Sequence, residues 1–124
     1  MATTSNKAAC AAVKGSLEKA IAGLITLGGV AASSTVEAEI VNARAEASTR
    51  LVNLHAVANR VAGEQTDRTL RGNFRALAVA AGLKDVEVRS IKPTTPEGLV
   101  KVASDTAALE SAVDKFEPTC GRYW

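Results

Sequence analysis

TVEAEIVNARAEASTRLVNLHAVANRVA, residues 35–62, contains neither Pro nor Gly, and its apolar residues Val36, Ile40, Ala43, Ala47, Leu51, Leu54, Ala58 and Val61 recur at steps of four or three. That spacing puts all of them on one face of a single α-helix. A helix over 35–62 is about 42 Å long at about 1.5 Å per residue. A compact globule of this chain length is only about 35 Å across, from a radius of gyration near 14 Å. The helix is as long as the domain meant to contain it, and three of the eight residues of its stripe are alanine. Ile40, Ala43, Ala47, Leu51, Leu54 and Ala58 are read as a packing face whose small side chains lie against a neighbouring helix. The expectation is an elongated subunit rather than a pocket-bearing enzyme.

Composition supports that reading. The 124 residues suffice for one domain with a modest core, but they include 24 Ala and only four aromatic residues, Phe74, Phe116, Tyr123 and Trp124. Alanine favours helix at no side-chain entropy cost and buries little area. Close helix packing and partner chains are expected to supply the stability. The net charge of +2 does not by itself mark a nucleic-acid binder, but it is unevenly spread. Residues 1–43 balance, residues 44–92 hold nine Arg or Lys against five acids, and residues 93–124 hold three against five. A basic middle and an acidic tail can pair between subunits. Cys10 and Cys120 stand at opposite ends, form no metal-ligand spacing, and are read as two unpaired thiols.

Residues 7–13 form an Ala-rich helical lead, followed by Leu17, Ile21, Leu24, Ile25 and Leu27 and by seventeen residues, 20–36, without a charge. The first reading is a buried helix ending near Gly28 and Gly29. The alternative is a segment that enters lipid or lines a membrane assembly, its small residues permitting close helix approach. The apolar run 21–30 before Ala31 and Ala32 is expected to stay in the protein, not to act as a cleaved leader. Ser33, Ser34 or Thr35 caps the long helix, with Glu37 and Glu39 in its first turn.

A further helical pattern follows over 64–81, with Leu70, Phe74, Leu77 and Ala81 on one side and Arg68, Arg71 and Arg75 opposite. Gly82 stands at its expected C-cap. Val86 and Val88, separated by Glu87, alternate like a short half-exposed strand over 85–91. Thr95, Pro96 and Glu97 then start a last helix whose Leu99, Val102, Thr106, Leu109, Val113 and Phe116 form a short heptad seam stopped by Pro118. Leu109, Phe116, Tyr123 and Trp124 are expected to dock on something other than the long helix, with both chain ends held by other subunits. The expected class is mainly α, an elongated helical subunit with long helices and one short strand near 85–91. Its regions are 1–82, 83–95 and 96–124.

Catalytic chemistry finds no foothold in this pattern. His55, the only histidine, has no Cys or carboxylate at metal or catalytic spacing, and no phosphate loop or nucleophile elbow is present. No cofactor or metal is expected. The Arg68, Arg71, Arg75 stripe is first the wet face of an amphipathic helix, and second a contact for non-specific DNA or an acidic neighbour. No aromatics accompany it for base stacking.

Residues 37–82 resemble, in style, the internal core or ejection proteins of short-tailed bacteriophages. The likeness lies in the Gly/Ala/Ser-rich apolar lead, then Asn42-Ala43-Arg44-Ala45-Glu46-Ala47, Val57-Ala58-Asn59-Arg60, and Leu70-Arg71-Gly72-Asn73-Phe74-Arg75-Ala76-Leu77 ending at Ala81-Gly82. It spans about 17–82 and is compositional. It implies a virion protein, assembled as a homo-oligomer with portal or ejection proteins and expelled to form a conduit across the host cell envelope. Ile21, Leu24, Ile25 and Leu27 would then be the membrane-facing or self-packing part. A non-membrane virion adaptor or tail-associated subunit is the alternative, and a small nucleic-acid-binding regulator is a third class.

Overall fold

The structure, a computed structural model, describes residues 5–124, so the first four residues of the expected 1–82 region lie outside it. Five helices follow one another: α1 (Asn6–Ser33), α2 (Glu37–Gly63), α3 (Arg68–Ser90), α4 (Pro96–Ser104) and α5 (Ala107–Cys120), with a closing 3-10 turn at Gly121–Tyr123. The class is mainly α, with no strand among the described residues.

Each of α2, α3 and α4 runs antiparallel to the helix before it, and α5 continues the direction of α4. Gly23 of α1 faces Ala47 of α2. His55 of α2 meets Ala78 of α3, and Ser48 meets Asp85. Asn73 of α3 bonds the Lys115 carbonyl of α5, and Lys84 bonds the Val102 carbonyl of α4. Cys10 of α1 joins Cys120 of α5. The result is an up-down-up-down bundle in which α4 and α5 together make the fourth rod, diagonally across from α2. Such bundles bury a stripe on every helix around one long core. At about 1.5 Å per residue α1 and α2 are each about 40 Å long, so the rod is as long as the helix that the sequence foretold.

The alanine face of α2 is spent inside this rod. Ala47 and Ala58 are fully buried and Ile40, Leu51 and Leu54 lie with them. The partner is the chain's own α1: a Cβ at Gly23 would stand 3.3 Å from the Ala47 Cα, a contact that only a glycine permits without displacement. Ala47→Leu is therefore expected to overpack the α1–α2 seam at about 1–3 kcal/mol. Urea unfolding of the isolated chain reads it, and an unchanged midpoint would show the seam to be loose.

Several sequence expectations are corrected. α1 runs through Gly28 and Gly29 to Ser33 instead of ending near them, because Gly28 lies against Ala103 of α4, where tertiary packing offsets its weak helix propensity. Residues 85–91 are not a strand: α3 continues to Ser90, with Val88 in the core and Val86 outside. Valines on two faces of a helix, two positions apart, imitate alternation over so short a run. Gly82 is not a C-cap but an interior residue whose missing side chain leaves room for the His55 ring, 3.3 Å from where a Cβ would be. α3 also crosses the expected boundary at 82, and one core is shared by all five helices.

The last helix is two. Asp105 and Thr106 break it: the Asp105 N–H still bonds the Lys101 carbonyl, its carboxylate accepts from the Ala107 N–H, and Thr106 precedes the new start. Pro118 sits inside the final turn, and the helix runs on to Cys120. For the long helix, Ser34 accepts from the Val36 N–H and donates to the Glu39 carboxylate, so the capping hydroxyl lies just outside α2.

Cys10 and Cys120 are bonded to each other, not free, across a separation of 110 residues. Around them the tail closes the end of the bundle. Trp124 Nε1 donates to the Cys10 carbonyl at 3.1 Å, and its ring meets Phe116 edge-on at 5.7 Å. Phe116 in turn lies 5.3 Å from Phe74. Leu109, Phe116 and Trp124 dock on α1 and α3 of the same chain, which is why the tail is not a free docking element. Tyr123 alone stays at the surface, beneath the Arg122 guanidinium.

Candidate interaction site

Charge placement separates cations that hold the fold from those that remain free. Arg44 donates to the Val88 and Arg89 carbonyls, the unpaired acceptors at the end of α3. Lys84, only 4% exposed, donates to the Val102 carbonyl near the end of α4 and pairs with Glu87. Arg50 reaches the Lys19 carbonyl of α1 and Glu46. Arg71 closes the α2–α3 turn through two bonds to the Gln65 carbonyl, and Arg89 pairs with Asp85. Five of the nine cations in the basic middle are thus occupied within the subunit. The expected Arg68, Arg71, Arg75 stripe loses its middle member, because Arg71 lies within reach of the carbonyl. Arg68 and Arg75 are exposed and have no partner among the described residues.

His55 is a packing residue in this geometry. Its Nδ1–H donates to the Ala78 carbonyl at 2.7 Å, and Nε2 accepts from the Asn59 amide at 3.2 Å. A carbonyl can only accept, which fixes that tautomer. Among the described residues no group of three or more His, Cys, Asp or Glu is placed to hold a metal.

The four lead residues divide. Leu24 and Leu27 are buried in the bundle core, whereas Ile21 is half-buried and Ile25 is 70% exposed. Among the described residues no helix is long and apolar enough to cross a membrane. The uncharged run stops short because its C-terminal part leaves α1 at Ser33, while the helix N-terminal to it carries Lys7, Lys14, Glu18 and Lys19.

Besides the exposed valines Val36, Val41 and Val52, two apolar surfaces stand out among the described residues. The first is a stripe along the outer face of α3, where Val79 is 59% and Leu83 60% exposed, followed by Val86. These residues sit at steps of four and three, with Arg75 one turn before them. The stripe's signal is present in the sequence, where α3 carries a second apolar series beside the one through Leu70, Phe74, Leu77 and Ala81. The second is a cleft of about 200 Å³ between α1 and α5, lined by Leu17, Ile21, Leu109 and Val113. Glu110 and Asp114 stand on its rim. It lies where α5, beyond the break at Asp105 and Thr106, packs less closely on α1 than α4 does. A shallower depression continues it upward between α1 and α4, past Leu24, Ile25 and Val100. Ile21 and Ile25, expected to be membrane-facing or self-packing, thus line two neighbouring depressions along α1, together the α1/α4–α5 groove.

Comparison with protein-family profiles, with characterised proteins and with solved structures finds no match to this chain. The bundle and its two surfaces are the grounds for a functional reading.

Proposed function

We propose that this chain is a structural subunit of a short-tailed phage particle, working by assembly with copies of itself and with other virion proteins. The observation that carries the reading is the pair of exposed apolar surfaces on an otherwise self-contained bundle. Apolar stripes at helical spacing and apolar grooves with a charged rim are the elements of helix-in-groove protein contacts. The phage assignment rests on the resemblance of residues 17–82 to ejection proteins, and virion localisation follows from it.

Two modes of action fit that assignment. An adaptor uses the bundle as it stands. An ejection protein that helps to form a conduit through the host envelope must open the bundle, since Leu24 and Leu27 are core residues and the Cys10–Cys120 bridge ties α1 to α5. A bridge of this kind persists outside reducing compartments. The adaptor mode is therefore the better supported. The ejection mode draws on the uncharged run 20–36 and on exposed Ile25, and needs the bridge reduced. Of the expected arginine stripe, only Arg68 and Arg75 are left for DNA contact.

Proteomic copy numbers in purified particles test the assignment, with liposome flotation of oxidised and reduced chain to separate the modes. The adaptor predicts a fixed copy number per particle and no flotation in either redox state. Flotation of the reduced chain alone supports ejection. A chain absent from particles overturns the assignment.

A further inference from the structure

The two apolar surfaces match each other in chemistry and in height. The α3 stripe presents Val79, Leu83 and Val86 beside the unpaired cations Arg75 and Arg68. The groove presents Ile21, Ile25 and Val113, over the buried Leu17 and Leu109, beside the carboxylates Glu110 and Asp114. Asp114 has no ion pair among the described residues, and Glu110 accepts only the Thr106 hydroxyl. An apolar and cationic surface therefore stands on the same molecule as an apolar and anionic one.

Their heights along the rod follow from the contacts between helices. Asn73 bonds Lys115 and Lys84 bonds Val102, so the α3 segment 73–84 runs beside 102–115. Cys10 bonds Cys120 and Gly28 lies against Ala103, so the α1 segment 10–28 runs beside 103–120. Arg75, two residues above Asn73, stands near the height of Asp114 and Glu110. Val79 and Leu83 stand near that of Ile21 and Ile25. If a second rod is laid beside the first, parallel and without axial offset, cations face carboxylates and the α3 stripe faces the groove.

We infer that the outer face of α3 of one copy docks into the α1/α4–α5 groove of the next copy, side by side and head to tail. This deepens the structural-subunit reading and rests on it for the presence of neighbouring copies. Such a contact is heterologous, using two different patches, and heterologous contacts repeat into rings or helical filaments according to whether the step closes. A step with no axial offset has no rise, and its repetition gives a ring of parallel rods, not a filament. Charge pairing at the rim sets the register and favours the parallel arrangement, because an inverted neighbour would place its arginines against Ile25 and Val100.

Leu83→Asp spoils the stripe and leaves the groove, whereas Ile25→Asp spoils the groove and leaves the stripe. Both side chains are exposed, so each variant is expected to keep the wild-type helicity and melting temperature. Sedimentation is measured at about 1 mM chain, where even a contact with a Kd of about 1 mM is occupied in roughly a third of the chains or more. The wild type is expected to form closed oligomers, each variant alone to be monomeric, and their equal mixture to stop at dimers, because one intact stripe meets one intact groove. A monomeric wild type overturns the inference. So does a mixture that stays monomeric, or assembly of Ile25→Asp at the wild-type size, as a symmetric α3–α3 contact would give. Copy number in particles is scored separately: a chain that is in particles yet fails this test remains a structural subunit whose neighbours are other proteins.

Discussion

Removing the Cys10–Cys120 bridge, by reduction or as the Cys10→Ser, Cys120→Ser double variant, is expected to lower the unfolding free energy by about 2–5 kcal/mol. The two residues are 110 positions apart, so the bridge closes nearly the whole chain into one loop. The chain-entropy estimate for a loop of about 110 residues is about 5 kcal/mol, which is the upper end of the range. For a chain between the sizes usually tabulated, that loss corresponds to a fall in melting temperature of about 10–20 °C. Small domains have only about 5–15 kcal/mol in hand, so the reduced bundle keeps a fraction of its stability. Calorimetry with and without reductant reads the effect. A melting temperature that ignores reductant would mean that the two sulfurs are not joined.

Phe116→Ala is expected to cost about 3–5 kcal/mol in urea unfolding, the range for a large aromatic cut from a packed core. Phe116 is fully buried between Phe74 of α3 and Trp124 of the tail. Tyr123→Ala, one position from the end and exposed, is the control and is expected to change little. Phe116 and the bridge belong to one cluster at the closed end of the bundle, so the two losses will not add. A small effect of Phe116→Ala would mean that α5 is an appendage, as the sequence expectation had it.

The length and position of α2 are legible because its apolar series is long and unbroken, and the start of α4 because Thr95-Pro96-Glu97 is a strong local signal. Errors came where a local signal had a tertiary cause. Gly82 reads as a helix end but is there for His55, and the short valine alternation at Val86 and Val88 belongs to two helix faces. The break at Asp105 was written in Ser104-Asp105-Thr106, three residues that favour caps over helix interiors, but the heptad spacing ran across it unchanged. The pairing of Cys10 with Cys120 is not a local property at all. It depends on the up-down-up-down path that brings the first and last helices side by side.

The same distinction applies to the interaction surfaces. The basic middle of the chain is visible in composition, yet its division into carbonyl-bonding residues, such as Arg44, Arg71 and Lys84, and free Arg68 and Arg75 needs the helix ends in place. The α3 stripe was visible as a second apolar series. The groove was not, because it depends on how α5 lies against α1.

The central claim is that the C-terminal third completes the subunit's own bundle, leaving the α3 stripe and the α1/α4–α5 groove for partners. Native-state hydrogen exchange of the oxidised chain tests it most directly, since amides of a shared core open only with global unfolding while those of an appendage open locally. The account predicts that the amides of Leu109, Ala112 and Phe116 exchange with the same opening free energy as those of Leu51 and Leu54 in α2. Fast exchange throughout α5, with α2 still protected, would contradict it.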